Sequence, residues 1–190
     1  MNKLNVFNFI TLNGFYKGPN EDISWHKEMV GEEENEHAEK NSNNPTPGIL
    51  LFGRVTYQMM MAYWPTPMAQ KNNPVIANGM NKAEKIVFSK TLKKADWNNT
   101  RIVNNNMIEE VKKLKETSGK DMTILGSGSI VTQLADAGLI DGYQFMMDPV
   151  VLGKGTPVFN GIHEALHLKL VNTKVHKSGV IVLNYESVKK

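Results

Sequence analysis

The sequence predicts an α/β fold: a three-layer, mostly parallel mixed sheet with helices on both faces and an antiparallel hairpin at its C-terminal edge. Three observations predict it. Ile49–Phe52 and Met122–Leu125 are short and apolar with little alternation, as strands buried on both faces are. Each runs through a glycine-bearing turn into a segment of helical period. The chain beyond Tyr143 is strand-rich, and Gly179 is placed to turn a final hairpin.

The elements follow in order. Leu4–Leu12 is apolar and β-branched and ends at Asn13-Gly14, so it reads as a strand entering a loop. Ser24 is the expected cap of a helix that starts at Trp25 and continues through Glu32-Glu33-Glu34. Pro45 and Pro47 break the chain before the Ile49–Phe52 strand. Gly53 then leads into a helix over Val55–Tyr63, which Trp64-Pro65 ends. Ile86–Phe88 and Arg101–Val103 are short strands. Asn106 is the expected cap of a helix with Met107, Val111 and Leu114 on one face, ended by Gly119. The Met122–Leu125 strand, the turn Gly126–Ser129 and a helix over Ile130–Ala137 follow. Leu166–Leu170 alternates as an exposed strand does.

With 190 residues and no linker or repeat, one domain spanning 1–190 is expected. The 41% hydrophobic and 22% charged content is that of a globular chain. There is no cysteine, which excludes disulfides, thiolate zinc sites and cysteine nucleophiles. The net charge of +3 is scattered rather than gathered into a stripe, so a nucleic-acid partner is not expected. Nor is a membrane span, and without a visible export signal the cytoplasm is the expected compartment.

Two strand-to-helix junctions carry the functional reading: Gly53-Arg54-Val55-Thr56 and Gly126-Ser127-Gly128-Ser129. Each places glycine and hydroxyl groups where a helix begins beyond the carboxyl end of a strand. Unpaired N–H groups and the positive end of the helix dipole favour an anion there, usually phosphate. Neither junction is a Rossmann fingerprint, since position 131 is valine, and neither is a Walker loop.

These junctions also belong to a set of blocks that resembles a known family. The blocks are Thr11–Phe15, Leu51–Tyr57, Val87–Leu92, Leu125–Ser129 and Asp148–Phe159, the last being the most specific. In this order they resemble the dihydrofolate-reductase-like reductases. Among those they are most similar to stand-alone relatives of the C-terminal reductase domain of the bifunctional riboflavin-biosynthesis deaminase–reductase. The resemblance implies a dihydrofolate reductase-like fold, a homodimer and NADPH as cofactor. It implies that Gly53, Arg54 and Thr56 hold the pyrophosphate, and that Ser89 and Lys90 meet the 2′-phosphate. Leu125, Gly126, Ser127, Gly128, Ser129 and Ile130 would cradle the pyrophosphate and nicotinamide half. Thr11, Asn13, Gly14 and Trp25 would border the substrate cleft.

The expected activity is hydride transfer from NADPH to a small-molecule substrate, either pterin-like or a pyrimidine/ribosylamino compound of the riboflavin-pathway kind. In dihydrofolate reductases a carboxylate on the first helix assists protonation. At about 100° per residue, Glu32, Glu33 and Glu36 lie within about 60° of the Trp25–Met29 direction and are the candidates. A solvated acidic face explains the same run. Two other functions compete: a nucleotide-binding regulatory module without turnover, and a zinc hydrolase using His163-Glu164-Ala165-Leu166-His167. The second requires a helix where the sequence reads as a strand, and no metal is expected. His26, His37 and His176 form no cluster in the sequence. Met59–Met61 and Met146-Met147 read as adaptable filler, and Trp64 as a cleft or packing residue.

Overall fold

The apolar runs become the inner strands of an eight-stranded sheet in the computed structural model, which describes residues 1–27 and 48–188. The strands are β1 (Leu4–Thr11), β3 (Ile49–Gly53), β4 (Glu84–Phe88), β5 (Thr100–Val103), β6 (Met122–Leu125), β7 (Gly142–Asp148), β9 (Leu168–Val175) and β10 (Ile181–Ser187). Their order is β5-β4-β3-β6-β1-β7-β10-β9. All neighbours from β5 to β7 are parallel, while β10 is antiparallel to both β7 and β9. The expected mixed sheet and edge hairpin are therefore present.

The helices are α1 (Ser24–Lys27), α2 (Arg54–Tyr63), α3 (Pro67–Asn72), α4 (Pro74–Lys82), α5 (Met107–Thr117) and α6 (Gly128–Asp136). Alternation along the strands divides the core. Leu4, Val6 and Ile10 pack with Val111 and Leu114 of α5 and with Ile130, Val131 and Leu134 of α6. On the other side, Phe52 and Val87 pack with Tyr57 of α2 and with Trp97, and Phe7 and Phe9 pack with Met146 and Val182. Among the described residues no helix is long and apolar enough to cross a membrane.

Several local expectations change. The Ser24 N–H, at the start of α1, donates to Asp22 Oδ1 at 2.9 Å, so Asp22 also satisfies a donor at this helix start. Asn106 precedes α5 but is left-handed (φ 55°), and its side chain makes no capping bond. Helix α6 begins at Gly128, two residues before Ile130. Leu166 and His167 lie outside β9, which starts at Leu168. A small second sheet pairs β2 (Phe15–Lys17) with β8 (Thr156–Pro157) and fastens the first loop. Helices α3 and α4 each open on a proline, where the missing N–H costs nothing.

Lys85 is fully buried. Its ammonium donates to the carbonyls of Met80 at 2.8 Å and Ala83 at 2.7 Å, closing the end of α4, and lies 4.6 Å from the Trp97 ring centre. Desolvation lowers its pKa to about 8 from 10.5. Between these values the unfolded chain keeps a proton that the folded one has released, so stability rises with pH across that window. Below it, the penalty of the buried charge is present in full. Denaturant unfolding at about pH 7.5 and about pH 9.5 should show this rise, and Lys85→Met should be flatter by comparison.

Candidate active site

Strands β3, β4 and β6 run parallel, so their carboxyl ends share one edge of the sheet, where α2 and α6 begin. Gly53 precedes α2, and two left-handed residues, Gly126 (φ 60°) and Ser127 (φ 57°), precede α6. The junctions touch. Ser127 Oγ accepts from the Gly53 N–H at 2.8 Å and donates to Thr56 Oγ1 at 3.0 Å. A Cβ on Gly126 would come within 3.1 Å of Thr56 Cγ2, and one on Gly53 within 3.2 Å of Ser127 Oγ. Glycine at both positions lets two helix starts open into one space, with their N–H groups and dipoles converging.

That space is a polar cavity of about 260 Å³, lined by Gly53, Arg54, Thr56, Ser127, Gly128 and Ser129, with Tyr16, Lys17 and Glu21 opposite. Partial burial is the largest single influence on the Lys17 ammonium and lowers it, but the hydrogen bond to Glu21 at 2.6 Å and the charges and hydrogen bonds of Tyr16 and Glu21 together hold it above the usual lysine value. Tyr16, Lys17, Glu21, Val55 and Thr56 also border a second, larger cavity of about 490 Å³. Its floor is Phe7, Phe9 and Met146, and its walls include Met59 and Met60 of α2, Met80 of α4 and Trp64. A polar, dipole-lined cavity thus continues into an apolar one.

The expected cofactor residues divide. Gly53, Arg54, Thr56, Ser127, Gly128 and Ser129 meet in the polar cavity, while Leu125 and Gly126 line the apolar one. Ile130 points away, buried in the core between α6 and the sheet. Ser89 follows β4 at the same edge, but its Oγ accepts from the N–H groups of Thr91 and Leu92 at 3.2 and 2.9 Å. Lys90 is exposed. Neither residue lines either cavity.

The expected substrate-cleft residues lie elsewhere. Thr11 Oγ1 donates to Asn13 Oδ1 at 2.7 Å, Asn13 Nδ2 donates to the Leu152 carbonyl at 2.7 Å, and Gly14 (φ 78°) donates its N–H to the Thr11 carbonyl at 2.9 Å. They stitch the end of β1 to the loop after β7 and border neither cavity. Trp25 is buried beside His26, outside both. Glu32, Glu33 and Glu36 lie outside the described residues.

Sequence reasoning missed the pairing of His26 with Asp148. Both are buried, and His26 Nδ1 lies 3.1 and 3.3 Å from the two carboxylate oxygens. The imidazole stacks on Phe9, a floor residue, with ring centres 3.4 Å apart. The carboxylate fixes the proton on Nδ1. Asn8 was missed as well; it is 3% exposed and borders the apolar cavity, and its Nδ2, itself buried, has no partner among the described residues. Met59, Met60 and Met146, read as filler, line that cavity.

The His163–His167 pattern falls in irregular backbone between β8 and β9, neither the helix a zinc site requires nor the expected strand. His163 Nδ1 lies 2.6 Å from Asp136 Oδ2, and this hydrogen bond holds the Asp136 carboxyl below its usual value. Among the described residues no group of three or more His, Asp or Glu side chains is placed to hold a metal.

Comparison with known proteins agrees with this geometry. The chain is 31% identical over 176 residues to the uncharacterized protein YyaP of Bacillus subtilis, covering 93% of this chain and 90% of that one. The fold superposes on the diaminohydroxyphosphoribosylaminopyrimidine deaminase/5-amino-6-(5-phosphoribosylamino)uracil reductase of Thermotoga maritima with a TM-score of 0.65 at 14% identity, over 98% of this chain and 57% of that one. It also superposes on the dihydrofolate reductase of Enterococcus faecalis, solved with NADP(H), with a TM-score of 0.62 at 16% identity, over 98% and 97% of the two chains. The paired junctions and the sheet order sit within a single sequence match to the RibD C-terminal domain that runs from residue 2 to 182, and the chain belongs to that family.

Proposed function

We propose that this chain is an NADPH-dependent reductase that delivers a hydride to a C=O or C=N bond of a flat ring. The observation that carries the reading is the continuity of the two cavities. A dinucleotide needs an anion cradle for its pyrophosphate joined to a dry slot for its nicotinamide, and the shared wall at Thr56, Val55 and Tyr16 joins them. NADPH, when bound, would supply a hydride, which carries both electrons of the reduction. The chain's residues supply the rest: helix starts and Arg54 for the phosphates, and an apolar slot that holds two rings face to face and excludes water. Fold alone does not assign the activity; the E. faecalis enzyme bound to NADP(H) supports the choice of cofactor.

NADPH should bind more tightly than NADH when both are titrated by fluorescence. Arg54, whose Nη1 bonds Gln58 at 2.9 Å, lines the polar cavity and keeps other donors for phosphate. Arg54→Ala should therefore weaken NADPH binding by about tenfold or more, the loss expected for one charge-assisted contact. Lys90→Ala should reduce the preference over NADH if Lys90 reaches the 2′-phosphate. Equal affinities of the unaltered protein for the two cofactors would remove the assignment.

We also propose a homodimer. Strand β9 is an unpaired edge whose Leu170, Val171 and Val175 are exposed, and Val151 is exposed as well. A long apolar edge left open invites pairing with another chain. Light scattering at micromolar concentration should give twice the mass of one chain, and Val171→Lys should shift it toward the monomer.

A further inference from the structure

Resting on the reductase reading, we propose that the substrate is a neutral, flat, largely apolar carbonyl compound of the quinone or conjugated ring-ketone class, rather than a molecule with a phosphate or carboxylate tail. The larger cavity supports this in two ways. Its floor and walls are aromatic and thioether surface: Phe7 and Phe9 meet edge to face at 5.1 Å, and Met59, Met60, Met80 and Met146 surround them. Methionine adapts its shape to a ring and makes favourable sulfur–aromatic contacts. Among the described residues, the charged side chains on the lining are Lys17 and Glu21. They satisfy each other at 2.6 Å, so the described lining offers no spare cation to an anionic tail. A phosphate placed there would lose its water and gain no partner.

The polar minority adds no charge: Gln144 donates from Nε2 to Asn184 Oδ1 at 2.8 Å, which fixes its amide. The reaction balances as substrate C=O plus NADPH and one proton giving C–OH and NADP⁺. The hydride forms the new C–H bond, the π pair of the carbonyl takes the proton at oxygen, and for a quinone the same two electrons and two hydrogens give the hydroquinone.

The test compares 2-methyl-1,4-naphthoquinone with dihydrofolate and with a phosphoribosylaminopyrimidine, by calorimetric binding without cofactor and by NADPH oxidation. The quinone should bind and turn over with a kcat/KM at least tenfold above either anionic compound. Met59 is partly exposed on α2, so Met59→Arg should fold and place a cation in the lining. That variant should lose at least tenfold in quinone affinity, read by calorimetry without cofactor. Preference of the unaltered protein for either anionic compound, or binding of none of the three, overturns the proposal. Failure of NADPH to bind instead removes the reductase reading, and the calorimetric ranking then still decides the class of ligand.

Discussion

Asp148→Ala should lower the midpoint of thermal unfolding by about 2–12 °C. The estimate follows from the about 1–3 kcal/mol lost when a buried hydrogen-bonding group is left without its partner, at about 2–4 °C per kcal/mol for a chain of this size. Asp148 has no exposed surface, and His26 contacts both of its oxygens. Removing the carboxylate leaves a buried imidazole N–H without an acceptor, and removing the imidazole strands a buried carboxylate. His26→Phe keeps a ring against Phe9 and should still destabilise. The double variant His26→Phe, Asp148→Leu should recover most of the loss, because an apolar pair of similar volume needs no compensating charge. A double variant as unstable as the sum of the two singles would show that the pair does not act as a unit.

The second large effect is expected at Gly126. Valine there would have to adopt φ near 60°, a region that β-branched residues avoid, with its Cβ 3.1 Å from Thr56 Cγ2. Gly126→Val should reduce NADPH affinity by about 100-fold or more and cost about 1–3 kcal/mol of stability from backbone strain. Gly128→Val acts differently. A Cβ there would meet the Tyr16 ring at 2.9 Å, so it disturbs the opposite wall of the polar cavity rather than the backbone of the turn. Cofactor titration and thermal unfolding of both variants separate the two. Gly126→Val that folds and binds NADPH normally would take this turn out of the cofactor site.

The parallel sheet was legible because its signal is local: Ile49–Phe52 and Met122–Leu125 are apolar runs that lead into glycine turns and helices. The two junctions were legible for the same reason, as short patterns with a known electrostatic consequence. What the sequence did not show is long-range. The bond from Gly53 to Ser127 joins residues 74 apart, and His26 and Asp148 are 122 apart. Thr11, Asn13 and Gly14 show a role the sequence did not announce: their polar atoms bond Leu152 and one another at the end of β1. The Ser89 hydroxyl likewise serves a turn, accepting from the N–H groups of Thr91 and Leu92.

The place of β1 in the sheet has a consequence for how the protein is made. Strand β1 is made before the other strands of its sheet, yet Leu4 pairs with Met122 on one side and Asn5 with Gly142 on the other. Its hydrogen-bonding edges and the apolar faces of Phe7 and Phe9 therefore wait for about two-thirds of the chain before either neighbour exists. Contacts of such sequence separation form slowly and leave strand edges open in the interval. Both cavities depend on β1, since Phe7 and Phe9 form the floor of one and Gly126 N–H donates to the Phe7 carbonyl at 3.3 Å beside the other. A nascent chain halted before β7 can thus carry both glycine junctions and still bind nothing, which makes NADPH affinity a late reporter of folding in a truncation series.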